Sequence, residues 1–156
     1  MNVAMRKDLA CILGLLLLSG LLFGLNLGKA GLLDPDEPFY SLTAKEMLAR
    51  HDPWTPTMFG QPQFEKPILF YWVLYASFSI FGVSEFSARL GPCIAGILTV
   101  LLVFLWGRLL FGRWEPAFIS AAILASAGQF VVLSRIVLTD AFLCLFVTGA
   151  LFSFSW

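Results

Sequence analysis

Three stretches of this sequence hold residue types that could do chemistry together. Asp34-Pro35-Asp36-Glu37-Pro38-Phe39-Tyr40 concentrates three carboxylates, Phe64-Glu65-Lys66-Pro67 sets an acid beside a base, and Arg135 stands just upstream of Asp140 where an apolar run begins. A carboxylate that takes a proton, next to cations that stabilise a departing anion, suits group transfer onto a hydroxyl or phosphate. Asp36, Glu37 and Asp140 are the candidate catalytic groups, and Lys66 and Arg135 are the candidate contacts to an anionic leaving group. Each also has a plainer local reading. Asp36 and Glu37 precede a helical pattern and suit its N-terminus, where negative charge meets the positive end of the dipole. Glu65 and Lys66 could serve as an interfacial anchor, and Arg135 could simply neutralise Asp140. A carboxylate near an apolar span is costly enough that function is the favoured reading for Asp140.

The elements that must position these groups follow from composition. Of 156 residues, 59% are hydrophobic and 13% charged, against roughly 45–50% and about 25% in a soluble domain. A soluble enzyme and a disordered chain are both excluded. Ten basic and ten acidic side chains give a formal net charge of zero, so no basic stripe for nucleic acid exists. Cys11, Cys93 and Cys144 lie in apolar stretches without CxxC spacing and read as small buried hydrophobes. The fold class expected is all-α integral membrane.

Four segments approach the roughly 20 apolar residues that a spanning helix needs: 9–27, 86–106, 117–133 and 137–156. The stretch 67–81 is shorter and rich in aromatics, which favour the membrane interface. A second interfacial helix is expected over 38–50, with Tyr40, Ala44, Met47 and Leu48 as its apolar stripe and a Glu46–Arg50 pair at i,i+4 spacing. Both lie in a long loop, 28–85. Gly20, Gly24 and Gly28 recur every fourth residue and suggest close helix packing.

Basic residues favour the cytoplasmic side. Arg6 and Lys7 place the N-terminus there, and the cluster Arg108 to Arg113 joins them only if 67–81 lies in the interface. That choice sends Asp36, Glu37, Glu65, Lys66, Arg135 and Asp140 to one outer face. Gly28-Lys29-Ala30 could instead be a signal-peptide cleavage site, but the apolar run before it exceeds the usual length of about 7–15 residues. The chain stops at Trp156 inside an apolar run, and we expect it to be the N-terminal part of something longer.

The order Asp36-Glu37-Pro38-Phe39-Tyr40, Ala44-Lys45-Glu46-Met47-Leu48, Phe64-Glu65-Lys66-Pro67, Ala88-Arg89-Leu90 and Leu138-Thr139-Asp140 closely resembles the N-terminal portion of GT-C glycosyltransferases. The likeness is to the 4-amino-4-deoxy-L-arabinose lipid A transferases and their dolichyl-phosphate-mannose-protein mannosyltransferase relatives. It implies transfer of a sugar from a polyprenyl-phosphate-linked donor to a lipid or protein acceptor, outside a bacterial plasma membrane. It also implies that Asp36, with Glu37 beside it, is the first-loop catalytic aspartate and that Lys66 contacts the carrier phosphate. Asp140, with Arg135 upstream, is the implied second outer aspartate of the cavity. Glu65 matches a glutamate associated with a divalent metal, the one cofactor the resemblance suggests.

Two departures stand out: Phe39 occupies a position where members often carry Arg, and most of the dozen or so spans of family members, with the outer domain that many carry, are expected to lie beyond these residues. His51 reads as a loop residue, not a ligand. The rival reading is a small transporter or non-catalytic membrane subunit, with Asp140 as an intramembrane polar site. A loop of nearly 40 residues between Gly28 and Lys66 argues against it, because a small transporter needs only short turns.

Overall fold

A computed structural model describes residues 3–32 and 35–155. Asp34 and Trp156 lie outside the described residues. Among the described residues, seven helices and one hairpin follow in order: α1 (Val3–Gly24), α2 (Asp36–Ala49), β1 (Thr57–Met58), β2 (Gln61–Pro62), α3 (Ile68–Phe81), α4 (Glu85–Phe111), α5 (Trp114–Ser126), α6 (Gly128–Leu133) and α7 (Asp140–Ser155). They divide into two compact units. The span unit holds the chain up to Leu25, Cys93–Ser134 and Asp140 onward, and the loop unit holds Asn26–Pro92 with Arg135–Thr139.

In the span unit, α1 has 22 residues, and α4, which begins in the loop unit, has 27. At 1.5 Å per residue they reach about 33 and about 40 Å, beyond the roughly 30 Å hydrocarbon core. Met5–Gly24 and Glu85–Phe111 are the two described helices long and apolar enough to cross a membrane. The expected span 117–133 is not continuous. At Ala127 ψ swings to 118°, outside the right-handed helical region, and the chain restarts as the short α6. The 13 residues of α5 reach only about 20 Å.

α1 packs along α5, where Ala117, Ala121 and Ala125, one residue per helical turn, are wholly buried. Small residues on one face let helix backbones approach, which drives association where lipid supplies no hydrophobic contrast. The glycine stripe expected to do this does so only in part. A Cβ at Gly20 or Gly24 would meet nothing within 4 Å, whereas one at Gly28, past the end of α1, would come within 2.9 Å of Phe86. Two further tight approaches lie in the span unit. A Cβ on Gly107 would come within 2.9 Å of the Ala117 Cα, and one on Gly96 would run into the Ser134 side chain. Asp8 and Arg108 pair at 2.9 Å at one end of this unit.

The loop unit is built on α2 and α3, expected at 38–50 and 67–81. Tyr40, Ala44 and Met47 form the buried stripe of α2, and Tyr40 meets Phe70 of α3 edge-on at 4.9 Å between ring centroids. Aromatic pairs in this geometry add about 0.5–1.5 kcal/mol beyond their burial. Gly82 ends α3 at φ 76°, a conformation glycine adopts without a Cβ penalty. Ser84 then caps α4: its Oγ accepts from the Ser87 N–H at 3.2 Å, while the Ser84 N–H donates back to Ser87 Oγ at 3.0 Å. This reciprocal pair is a capping box with serine in the place of the usual Glu or Gln. Ser77 Oγ donates to the Ser87 carbonyl at 2.6 Å and ties α3 to the start of α4.

The small hairpin was not anticipated. Thr57 pairs with Pro62 and Met58 with Gln61, leaving Phe59 (φ 53°) and Gly60 (φ 76°) at the turn. Two successive positive φ angles define a type I′ turn, which matches the twist of a hairpin. Phe59 has no intrinsic reason to adopt that backbone. The Glu46 carboxylate holds it there, accepting the N–H groups of Phe59 at 2.7 Å and Gly60 at 3.2 Å. The expected Glu46–Arg50 pair is therefore replaced, and Arg50 pairs with Asp52 at 3.5 Å instead.

Candidate active site

The site grows from the first turn of α2, whose two acids diverge. Glu37 turns inward and is 1% exposed. Its Oε1 accepts from Arg89 Nε at 2.9 Å and from the Val137 N–H at 2.8 Å, and its Oε2 accepts from Arg89 Nη2 at 2.8 Å. The Arg89 fork also donates to three carbonyls, Leu27 at 3.1 Å, Ala30 at 2.6 Å and Gly31 at 2.9 Å. Bidentate, charge-assisted bonds of this kind are about twice as strong as neutral ones. One ion pair thus joins the chain after α1, the N-terminus of α2, the start of α4 and the 135–139 segment.

This geometry corrects the catalytic reading of Glu37. A carboxylate sealed from water and committed to an arginine and a backbone N–H is poorly placed to accept a substrate proton, and its role here is positional. Arg89 is the residue that sequence reasoning left without a role. The signal was an arginine inside an apolar helical pattern, which demands a partner. Nothing local named that partner, which lies 52 residues away.

Asp36 turns the other way and is exposed. Tyr40, one helical turn on, is buried beneath it, and Lys66 Nζ stands 5.6 Å from the centroid of the Tyr40 ring. Hydrogen bonding to the Tyr40 hydroxyl raises the Lys66 pKa above the ordinary lysine value, and the charges of Asp36 and Glu65 act in the same direction. Asp36, Tyr40, Glu65 and Lys66 therefore form one electrostatic group, with the aromatic ring as its floor. Arg135 is half-buried in the short segment whose Val137 N–H meets Glu37. The loop unit so gathers all the expected site residues except Asp140.

Asp140 belongs to the span unit, where it is exposed and opens α7. Its carboxylate lies at the favourable end of that helix dipole, and not within a span. His51 is exposed just past α2 at φ 53°. Glu65 is exposed, and among the described residues no three His, Cys, Asp or Glu side chains converge to hold a metal ion. The residues described do not by themselves fit a metal site.

Membrane-crossing helices joined to a loop whose acidic helix is clamped from within place the protein among the membrane-embedded GT-C glycosyltransferase folds. The backbone superposes on ArnT from Cupriavidus metallidurans bound to undecaprenyl phosphate with a TM-score of 0.85 at 24% identity, over 92% of this chain and 26% of that one. The sequence model of the dolichyl-phosphate-mannose-protein mannosyltransferases matches residues 11–156, and the chain belongs to that family. It is 31% identical over its whole length to undecaprenyl phosphate-alpha-4-amino-4-deoxy-L-arabinose arabinosyl transferase 2 of Proteus mirabilis, covering 28% of that protein. An uncharacterized protein of Aquifex aeolicus is 30% identical over 95% of this chain and 29% of its own length. The chain thus spans under a third of the length of the curated relatives it matches.

Proposed function

We propose that this chain supplies the first-loop catalytic residues of a glycosyltransferase that moves a sugar from a polyprenyl-phosphate carrier to a hydroxyl or phosphate of a lipid or protein acceptor. Asp36 removes the acceptor proton as the acceptor oxygen attacks the sugar's anomeric carbon. The bond from that carbon to the carrier phosphate breaks, and the departing phosphate gains charge. Lys66 and Arg135 meet that charge, and Asp140 acts as the second outer aspartate. The reaction takes place on the outer face of a bacterial inner membrane, with the N-terminus cytoplasmic.

One observation carries this reading. The adjacent acids have opposite fates, Glu37 locked to Arg89 and Asp36 exposed beside Lys66. Preorganised charge of this kind is the usual source of the largest catalytic effect. The names of the arabinosyl transferase relatives, and the undecaprenyl phosphate in the Cupriavidus crystal structure, support the donor class. Glu65 would contribute to a divalent metal only with ligands from outside the described residues, and no step here depends on one.

The test is transfer by the complete reading frame in proteoliposomes, from a synthetic undecaprenyl-phosphate-linked aminoarabinose to lipid A. Asp36→Asn should lower kcat by about 100-fold or more, the range for losing a general base, without shifting the melting temperature. Wild-type turnover in the Asp36→Asn variant would overturn the assignment.

A further inference from the structure

The span unit contains a groove that the transfer chemistry does not use. One face of α1 presents Lys7, Ala10, Cys11 and Gly14, at the i, i+3, i+4 and i+7 spacing of a helix stripe, and Trp114 and Phe118 of α5 stand across from it. Small side chains facing bulky aromatics leave a cavity of about 380 Å³, within the range of about 300–1,000 Å³ typical of small-molecule sites. Its floor is apolar and its mouth is not. Lys7 Nζ lies 5.7 Å from the centroid of the Trp114 ring, close enough for a cation–π contact.

The carboxylates near the mouth are engaged. Asp8 pairs with Arg108 at 2.9 Å and Glu115 with Arg113 at 3.6 Å. Lys7 has no carboxylate partner among the described residues, so its charge faces outward over the groove. Tryptophan is enriched at the headgroup level of membranes, and Trp114 is the first residue of α5. A cation over an interfacial indole, above an apolar slot between two helices, complements a phosphate attached to an acyl chain.

We propose that this groove is a binding site for an anionic glycerophospholipid. The phosphate sits at Lys7, and one acyl chain runs past Ala10 and Gly14 against Phe118. The occupant is a lipid and not free phosphate, because the apolar floor offers an inorganic anion nothing. Gly14 sets the width of the slot: a Cβ there would stand 3.8 Å from the Phe118 ring, so a larger side chain would fill it.

Native mass spectrometry of the protein expressed in its complete reading frame tests this, with palmitoyl-oleoyl phosphatidylglycerol and phosphatidylcholine as competing probes. The wild type should retain phosphatidylglycerol preferentially. Lys7→Gln should cut that preference about fivefold, the value of one cation at a lipid headgroup, and Lys7→Arg should keep it. Gly14→Leu should reduce retention of both lipids, with an unchanged melting temperature showing that α1 and α5 still pack. Millimolar inorganic phosphate should not compete. Equal retention of the two lipids by the wild type, or unchanged retention in Gly14→Leu, would overturn the proposal, as would displacement by inorganic phosphate.

Discussion

Removing Arg89 tests the clamp at the base of the site. In Arg89→Met the Glu37 carboxylate, 1% exposed, keeps only the Val137 N–H among the contacts described above, and the carbonyls of Leu27, Ala30 and Gly31 lose their donor. Breaking a buried ion pair by deleting one partner costs about 3–5 kcal/mol. That is a fifth or more of a typical domain stability of about 5–15 kcal/mol. The loss should be local to the loop unit, so protease sensitivity across residues 28–66 in nanodiscs should rise by about 100-fold or more, the equivalent of about 3 kcal/mol. A second variant separates charge from packing. Glu37→Leu combined with Arg89→Met removes the stranded carboxylate and should recover about 2 kcal/mol, leaving the cost of the carbonyls and the Val137 N–H. If the double variant is cleaved as fast as Arg89→Met alone, the pair is not the buried clamp described here.

Two further outcomes follow from the packing and the hairpin. Gly107→Val should destabilise the span unit by about 1–3 kcal/mol through overpacking against Ala117, seen as a lower melting temperature in detergent; an unchanged value would mean that α4 and α5 do not approach there. Burial is the largest single influence on the Glu46 carboxyl and raises its pKa, but the Gly60 N–H, the Thr57 hydroxyl, the Phe59 N–H and the Arg50 charge together outweigh it and hold the carboxyl below the ordinary glutamate value. Its contribution to the hairpin is therefore full above the unfolded pKa of 4.5 and lost as pH falls through the lower folded value. Cleavage at Phe59 by an acid-stable protease should rise below pH 4.5 in the wild type, and Glu46→Gln should abolish that pH dependence.

Much of the framework was legible from pattern alone. Aromatic content and length set 67–81 apart from the longer apolar runs, and a helix, α3, occupies Ile68–Phe81. The acid-rich start and apolar stripe of α2 read correctly because both are local. What escaped was set by distant partners. Spacing gave Glu46 and Arg50 to each other, but two backbone N–H groups in a turn more than a dozen residues later offered Glu46 a better site. Composition made 117–133 a single apolar run and could not show the extended backbone at Ala127. Asp36 and Glu37 looked equivalent side by side, and what distinguishes them is the capture of Glu37 by Arg89 and the Val137 N–H.

The clamp also orders events in time. Its hydrogen bond between Glu37 and the Val137 N–H closes over 100 residues of chain, and that between Arg89 and the Leu27 carbonyl over 62. At a synthesis rate of about 5–20 residues per second, the ribosome needs roughly 5–20 s to travel from codon 37 to codon 137. Over that interval the acidic turn of α2 first waits for Arg89, 52 residues on, and then has its arginine but no final backbone donor. The loop carrying Asp36 therefore reaches its finished form only after the 135–139 segment has been made, so the clamp couples maturation of the candidate site to translation of a much later stretch of chain.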